Sequence, residues 1–93
     1  MPLERSIERA FVEEAKRRSA WALKLTVLGV AGFPDRCVLA PGGRIAFVEL
    51  KRPGEQPRAL QRWIHGRLQR LGFTVEVIDR SELVQPFFEA WLG

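Results

Sequence analysis

Ninety-three residues, 46% of them apolar and including three Trp and six Phe, can build one small folded core and are too apolar for a disordered chain. A net charge of +4 favours a polyanionic partner, while a single cysteine, Cys37, excludes an internal disulfide and any multi-cysteine zinc site. No apolar run has membrane-spanning length and the N-terminus has no apolar signal region, so residues 1–93 are expected to form one cytoplasmic domain.

Residues 3–18 predict a helix, with Leu3, Ile7, Ala10, Phe11 and Ala15 recurring at helical spacing. Glu4 and Glu8 lie early, and Lys16, Arg17 and Arg18 close the segment, which suits the helix dipole. Glu13 with Arg17 and Glu14 with Arg18 are expected surface pairs, whereas Glu4 and Glu8 flank the apolar stripe. Residues 21–27 alternate as a strand, with Trp21, Leu23, Leu25 and Val27 on one face and Lys24 on the other. Lys24 is either solvated or set against an anionic ligand. Residues 28–32 are small and glycine-rich, a loop whose backbone could approach a ligand closely, and Pro34 fixes the entry to the next strand.

Arg36–Ala40 and Arg44–Leu50 predict a hairpin closed by Pro41-Gly42-Gly43. The strand period of two puts Ile45, Phe47, Glu49 and Lys51 on one face of the second strand. If the loop has three residues, Ala40 faces Arg44 and, counting back, Asp35 faces Glu49. Cross-strand partners have Cβ atoms roughly 4.5–5.5 Å apart. Two carboxylates there repel unless one is protonated or a cation intervenes, and a hard divalent ion with oxygen ligands at about 2.0–2.1 Å fits. A loop one residue shorter or longer shifts the pairing and separates the two acids. Lys51 can orient a water or offset charge in a transition state. The plainer alternative is an exposed edge-strand face, but Ile45 and Phe47 on that face argue for burial. Cys37 reads as a small buried hydrophobe.

Residues 52–57 carry prolines and a glycine and mark a break. A helix over 57–71 follows, with Leu60, Ile64, Leu68 and Leu71 as its expected core stripe and Gly72 as its stop. Gln61 sits at the edge of that stripe, His65 one turn on along the same flank, and Arg58, Arg62 and Gln69 towards solvent. Residues 73–78 predict a fourth strand. Asp79 or Ser81 is expected to cap a last helix carrying Leu83, Val84, Phe87, Phe88, Trp91 and Leu92, with Pro86 tolerated near its start. The order α-β-β-β-α-β-α predicts an α/β fold, a small mixed sheet of about four strands flanked by helices. The third and fourth strands should be parallel across a helical crossover.

Pro34-Asp35, thirteen intervening residues and Glu49-Leu50-Lys51 resemble the PD-(D/E)xK motif of metal-dependent nucleases. Gly32-Phe33-Pro34-Asp35-Arg36, Phe47-Val48-Glu49-Leu50-Lys51, Gln61 with His65, and Leu71-Gly72-Phe73-Thr74-Val75 look like the virus-type replication-repair nuclease domain, VRR-NUC. The resemblance runs from about Ile7 to Val84. It implies a restriction-endonuclease-like core, Mg²⁺ or Mn²⁺ as cofactor, and hydrolysis of phosphodiester bonds in branched or flapped DNA. It further implies Asp35 and Glu49 as metal ligands with the Leu50 carbonyl, and Glu8 (Glu4 in reserve) as the ligand from the first helix. Lys51 would be the catalytic lysine and Gln61 the glutamine that supports it. His65 is expected on the helix surface, touching DNA or nothing.

Minimal members are similar to Holliday-junction resolvases, which work as two-fold dimers. Phe87, Phe88 and Trp91 exceed what one face of a small core should need, and a homodimer interface would bury them. Lys24, Arg36, Arg52, Arg58 and Arg62 are candidates for gripping DNA phosphates without reading sequence. The setting implied is a bacterial cell or a phage-infected host. The alternatives are a monomeric flap or nicking nuclease, a non-catalytic DNA-binding module of the same fold, and a phosphohydrolase for small substrates. For the last, Gly29-Val30-Ala31-Gly32 is a weak phosphate loop.

Overall fold

The computed structural model describes residues 2–93, with side chains from Arg5 onward, so the readings of Leu3 and Glu4 lie outside the described residues. The elements are α1 (Pro2–Arg17), β1 (Trp21–Lys24), β2 (Arg36–Ala40), β3 (Arg44–Leu50), α2 (Ala59–Arg70), β4 (Thr74–Ile78), a 3₁₀ turn (Ser81–Leu83) and α3 (Val84–Leu92). The sheet order is β1-β2-β3-β4, antiparallel from β1 to β3 and parallel between β3 and β4, as the element order predicts. Among the described residues, no helix is long and apolar enough to cross a membrane.

β1 is shorter than its alternation suggests. The Leu25 N–H still donates to the Asp35 carbonyl at 2.8 Å, and the chain then leaves the sheet for the glycine-containing loop. The hairpin has the three-residue loop: Ala40 pairs with Arg44 and Arg36 with Val48. Gly42 and Gly43 take φ of +85° and +73°, a left-handed backbone that side chains resist, and this holds the register.

Cross-strand partners share a face, so the register defines two sheet surfaces. On one, Val38, Ala46, Val48, Leu50 and Ile78 meet Ile7, Phe11 and Ala15 of α1 and Val84, Phe87 and Phe88 of α3. Fully burying one such side chain contributes about 1.5–3 kcal/mol, and Phe11→Ala at the centre should cost about 3–5 kcal/mol. α1 packs against β1 and β3 and α3 against β4, so both helices are needed to cover this face. Phe87 and Phe88 are buried and Trp91 is half-buried against the same core, in contact with both. They are therefore not a spare surface, contrary to the expectation from composition.

Two local expectations also change. Buried Glu14 accepts from both Arg17 (2.7 Å) and Arg18 (3.0 Å), and Arg18 reaches Glu89 at 3.0 Å, pinning the end of α1 to α3. The Arg18 and Arg17 hydrogen bonds hold the Glu14 carboxyl below the usual carboxylate range. No side chain caps the 3₁₀ turn or α3. Asp79 instead accepts from the Gly54 N–H and Arg80 Nε, each at 3.4 Å. Pro86 sits in the first turn of α3, where its missing N–H costs nothing.

The other sheet face is partly covered by α2, which packs against β4, and by Phe33 of the loop before β2. The helix is rotated relative to its hydropathy: Gln61, Ile64, His65 and Leu68 are buried, while Leu60 and Leu71 are exposed. Gly72, with φ +99°, closes it. Phe33, Phe47 and Phe73 meet edge to face, each step 5.4 Å between centroids, under this side of the sheet.

Candidate active site

Asp35 lies one step beyond Arg36–Val48, the last pair of the β2–β3 ladder, so continuing the register sets it opposite Glu49. Both project from the α2 side of the sheet, where Glu49 is 4% exposed. Burial is the main cause pushing the Glu49 carboxyl above its ordinary range, the Asp35 charge adds to it, and Lys51 opposes it. Asp35 is more open, yet partial desolvation raises its carboxyl too, against the pull of Arg36, of the Leu50 and Asp35 N–H groups and of Lys51. Two partly desolvated acids opposed across a hairpin, one of them raised further by the charge of the other, suit a shared cation site.

The Glu49 oxygens have different surroundings. Oε2 accepts from Gln61 Nε2 at 3.2 Å and lies 3.7 Å from Lys51 Nζ. Oε1 is buried with no hydrogen-bond partner. A buried, unpaired carboxylate oxygen on a residue opposite a second acid suits a hard divalent cation, so Asp35 and Glu49 fit Mg²⁺ or Mn²⁺. Among the described residues, no group of three His, Cys, Asp or Glu forms that could hold a metal ion.

That finding bears on Glu8. Its carboxylate is bound to Arg36 at 2.7 Å and lies 3.8 Å from Lys24, and the Arg36 hydrogen bond holds it below its usual range. Lys24 and Arg36 are paired residues on the α1 side of the sheet, away from the face that carries Glu49. Arg36 is mostly buried there, with Nε unpartnered, so it does not stand at the mouth of the site. Helical spacing could not reveal that β2 supplies Glu8 with its own cation.

α2 delivers two polar groups to the site. Gln61 Oε1 accepts the Arg58 N–H at 2.8 Å, which fixes the amide so that Nε2 points at Glu49. His65, one turn on, is only 7% exposed, and its Nε2 has no partner. Burial foremost, with the Lys51 charge adding, depresses the imidazole pKa and keeps the ring neutral. The expected surface histidine is thus a buried group near the lysine. A polar pair at i,i+4 beside Ile64 and Leu68 was the sequence signal for it. Arg52, Arg58 and Arg62 are exposed around the start of α2, and the Arg62 guanidinium also donates to the Pro57 carbonyl.

A mixed four-stranded sheet with opposed acids at a hairpin, a lysine two residues on and a supporting glutamine defines a PD-(D/E)xK-type nuclease core. No family model matches the chain. A protein of Acyrthosiphon pisum secondary endosymbiont phage 1, named "Putative nuclease p44", is 44% identical over 80 residues, covering 86% of this chain and 86% of that protein. A solved structure described as "VRR_NUC domain" superposes with a TM-score of 0.87 at 28% identity, over 95% of this chain and 96% of the other. The chain belongs to the VRR-NUC family of nucleases.

Proposed function

We propose that this protein hydrolyses phosphodiester bonds in branched DNA, with Asp35 and Glu49 holding a divalent cation and Lys51 acting beside it. The observation that carries this reading is the Asp35–Glu49 opposition with Glu49 Oε1 left free and Oε2 held by Gln61 and Lys51. When bound, Mg²⁺ or Mn²⁺ supplies Lewis-acid charge at the phosphate and eases deprotonation of the attacking water. Lys51 is half-buried with its ammonium next to Glu49, positioned to orient that water and offset charge growing on the phosphate. A neutral His65 spares Lys51 the repulsion that a second cation would bring.

Arg52, Arg58 and Arg62 grip the phosphate backbone in this reading, and α2 carries no acid to oppose them. Backbone contacts carry no sequence information, so the shape of the branch selects the substrate. A four-way junction cut symmetrically needs two active sites, which favours a homodimer. Trp21, Leu39 and Ile45 lie side by side on the face of α2, and continuing the register adds Phe73 to the row. All four are exposed, Trp21 at 66%. A second copy covering this row through a two-fold contact gives the interface that α3 does not. The working compartment is the cytoplasm of a bacterial or phage-infected cell.

The test is a labelled four-way junction, a 5′ flap and a plain duplex, each incubated with Mg²⁺ or Mn²⁺ and with chelator. Metal-dependent nicking that prefers the branched substrates supports the reading. Equal cutting of all three removes the branch preference, and DNA binding without cutting favours a non-catalytic module.

A further inference from the structure

A second feature of α2 lies on the flank that faces the loop before β2, where Ile64 and Leu68 form its floor. Trp63 is 56% exposed, and the Arg67 guanidinium lies 5.7 Å from its ring centroid. Together with Val30, Phe33 and Leu71 they line an almost wholly apolar cavity of about 330 Å³ between α2 and the loop before β2. The loop wall is held in place. Gly32, at φ +84°, sits so close to Leu60 that a Cβ there would lie 3.0 Å from its side chain, and Phe33 packs edge-on against Phe47.

The cavity needs no aromatic platform for folding, since Trp63 is not part of the core. Its surroundings point to an anionic occupant. α2 contains Arg62, Arg67 and Arg70 and no Asp or Glu. An exposed indole with a guanidinium over it, set in an arginine-rich surface, is the chemistry that receives a nucleobase with phosphates on either side. Phe33, in the cavity wall, is two residues from Asp35, at most about 7 Å at ~3.3 Å per residue, which keeps that wall near the proposed cleavage site.

Resting on the nuclease reading above, we propose that this cavity takes the unpaired base of a nucleotide next to the cleaved phosphate. The base stacks on Trp63, and Arg67 pairs with the flanking phosphate. A continuous duplex keeps its bases stacked internally and cannot fill the cavity. A branch point offers an unstacked base at small cost, and the cavity thereby selects branched DNA by shape.

The experiment measures binding in chelator, so that cleavage does not intervene. The probe is a four-way junction or flap carrying 2-aminopurine beside the branch point, with a continuous duplex of the same sequence as control. Wild-type protein should bind the branched probe more tightly than the duplex and quench its fluorescence by stacking. Trp63→Ala should weaken branched-probe binding by about ten-fold, leave duplex binding unchanged and abolish the quench, while Trp63→Phe restores most of both. Trp63→Ala with unaltered branched-probe affinity and quench overturns the proposal. If wild type cuts branched DNA but Trp63→Ala changes nothing, only the base site falls. If wild type neither binds nor cuts DNA, both the base site and the nuclease reading fall. Because Trp63 is exposed, a thermal melt of Trp63→Ala should match wild type, and loss of affinity by an unfolded variant does not count as support.

Discussion

Gln61 donates to Glu49 Oε2 at 3.2 Å while its own Oε1 accepts the Arg58 N–H at 2.8 Å. The amide is thereby held from both ends, and the start of α2 is tied to the middle of the site. Glu49 is left with one oxygen occupied and one free. Gln61→Ala removes a hydrogen bond to a charged group, worth about 1.5–3 kcal/mol, and lets the carboxylate turn. Cleavage should fall by about 10–100-fold in kcat, measured on a branched substrate at saturating metal. Gln61→Glu should be worse, because it sets a third carboxylate against Glu49.

Metal-free stability tests the strain between the two acids. Burial and the Asp35 charge raise the Glu49 pKa above its ordinary value of 4.5. The folded state therefore favours the protonated form more than the unfolded chain does. Its stabilisation is fully present below about 4.5 and is lost as the pH rises through the folded-state value. In chelator at neutral pH, Glu49→Gln should melt higher than wild type, by about 4–8 °C for each kcal/mol regained. Added Mg²⁺ or Mn²⁺ should raise the wild-type melting temperature and leave Glu49→Gln unmoved. A lower melting temperature for Glu49→Gln in chelator contradicts this account.

Glu8 and Asp35 should separate in a cleavage assay. Glu8 is partly exposed and bound to Arg36 and Lys24, an arrangement worth about 0–1 kcal/mol. Glu8→Gln should leave cleavage within about five-fold of wild type, while Asp35→Asn lowers it by about 10²–10³-fold. Equal loss in both variants shows that Glu8 leaves Arg36 to join the metal when substrate binds.

The dimer prediction locates its interface. Light scattering should give the mass of two 10.6 kDa chains at micromolar concentration. Ile45→Lys, which puts a charge inside the Trp21–Leu39–Ile45–Phe73 row, should give one. Trp91→Ala should leave the dimer intact, since Trp91 packs inward. A single-chain mass for wild type removes the dimer.

The hairpin was legible because its determinants are local. Two glycines with positive φ fix the turn, and strict alternation on both strands fixes the faces. α2 was legible in position and misjudged in rotation. Hydropathy favours Leu60 and Leu71 for the core, yet Gln61 is buried because Glu49, twelve residues earlier, is there to accept from it, and His65, one turn on, is carried inward on the same flank. α3 was misjudged for the converse reason: the area of sheet it must cover depends on how far α1 reaches, which no segment reveals alone. Glu8 was singled out from its own helix, but its cations come from β1 and β2.

Lys51 gives the most direct test, because the nuclease reading assigns its ammonium, 3.7 Å from Glu49, to the chemistry. Wild type and Lys51→Ala are purified identically and incubated with a labelled four-way junction, with Mn²⁺ and with chelator. The predicted result is junction nicking by wild type with Mn²⁺, none in chelator, and a loss of about 10²–10³-fold in Lys51→Ala with junction binding retained. Equal nicking by the two proteins contradicts the account, because the cutting then comes from elsewhere than this site.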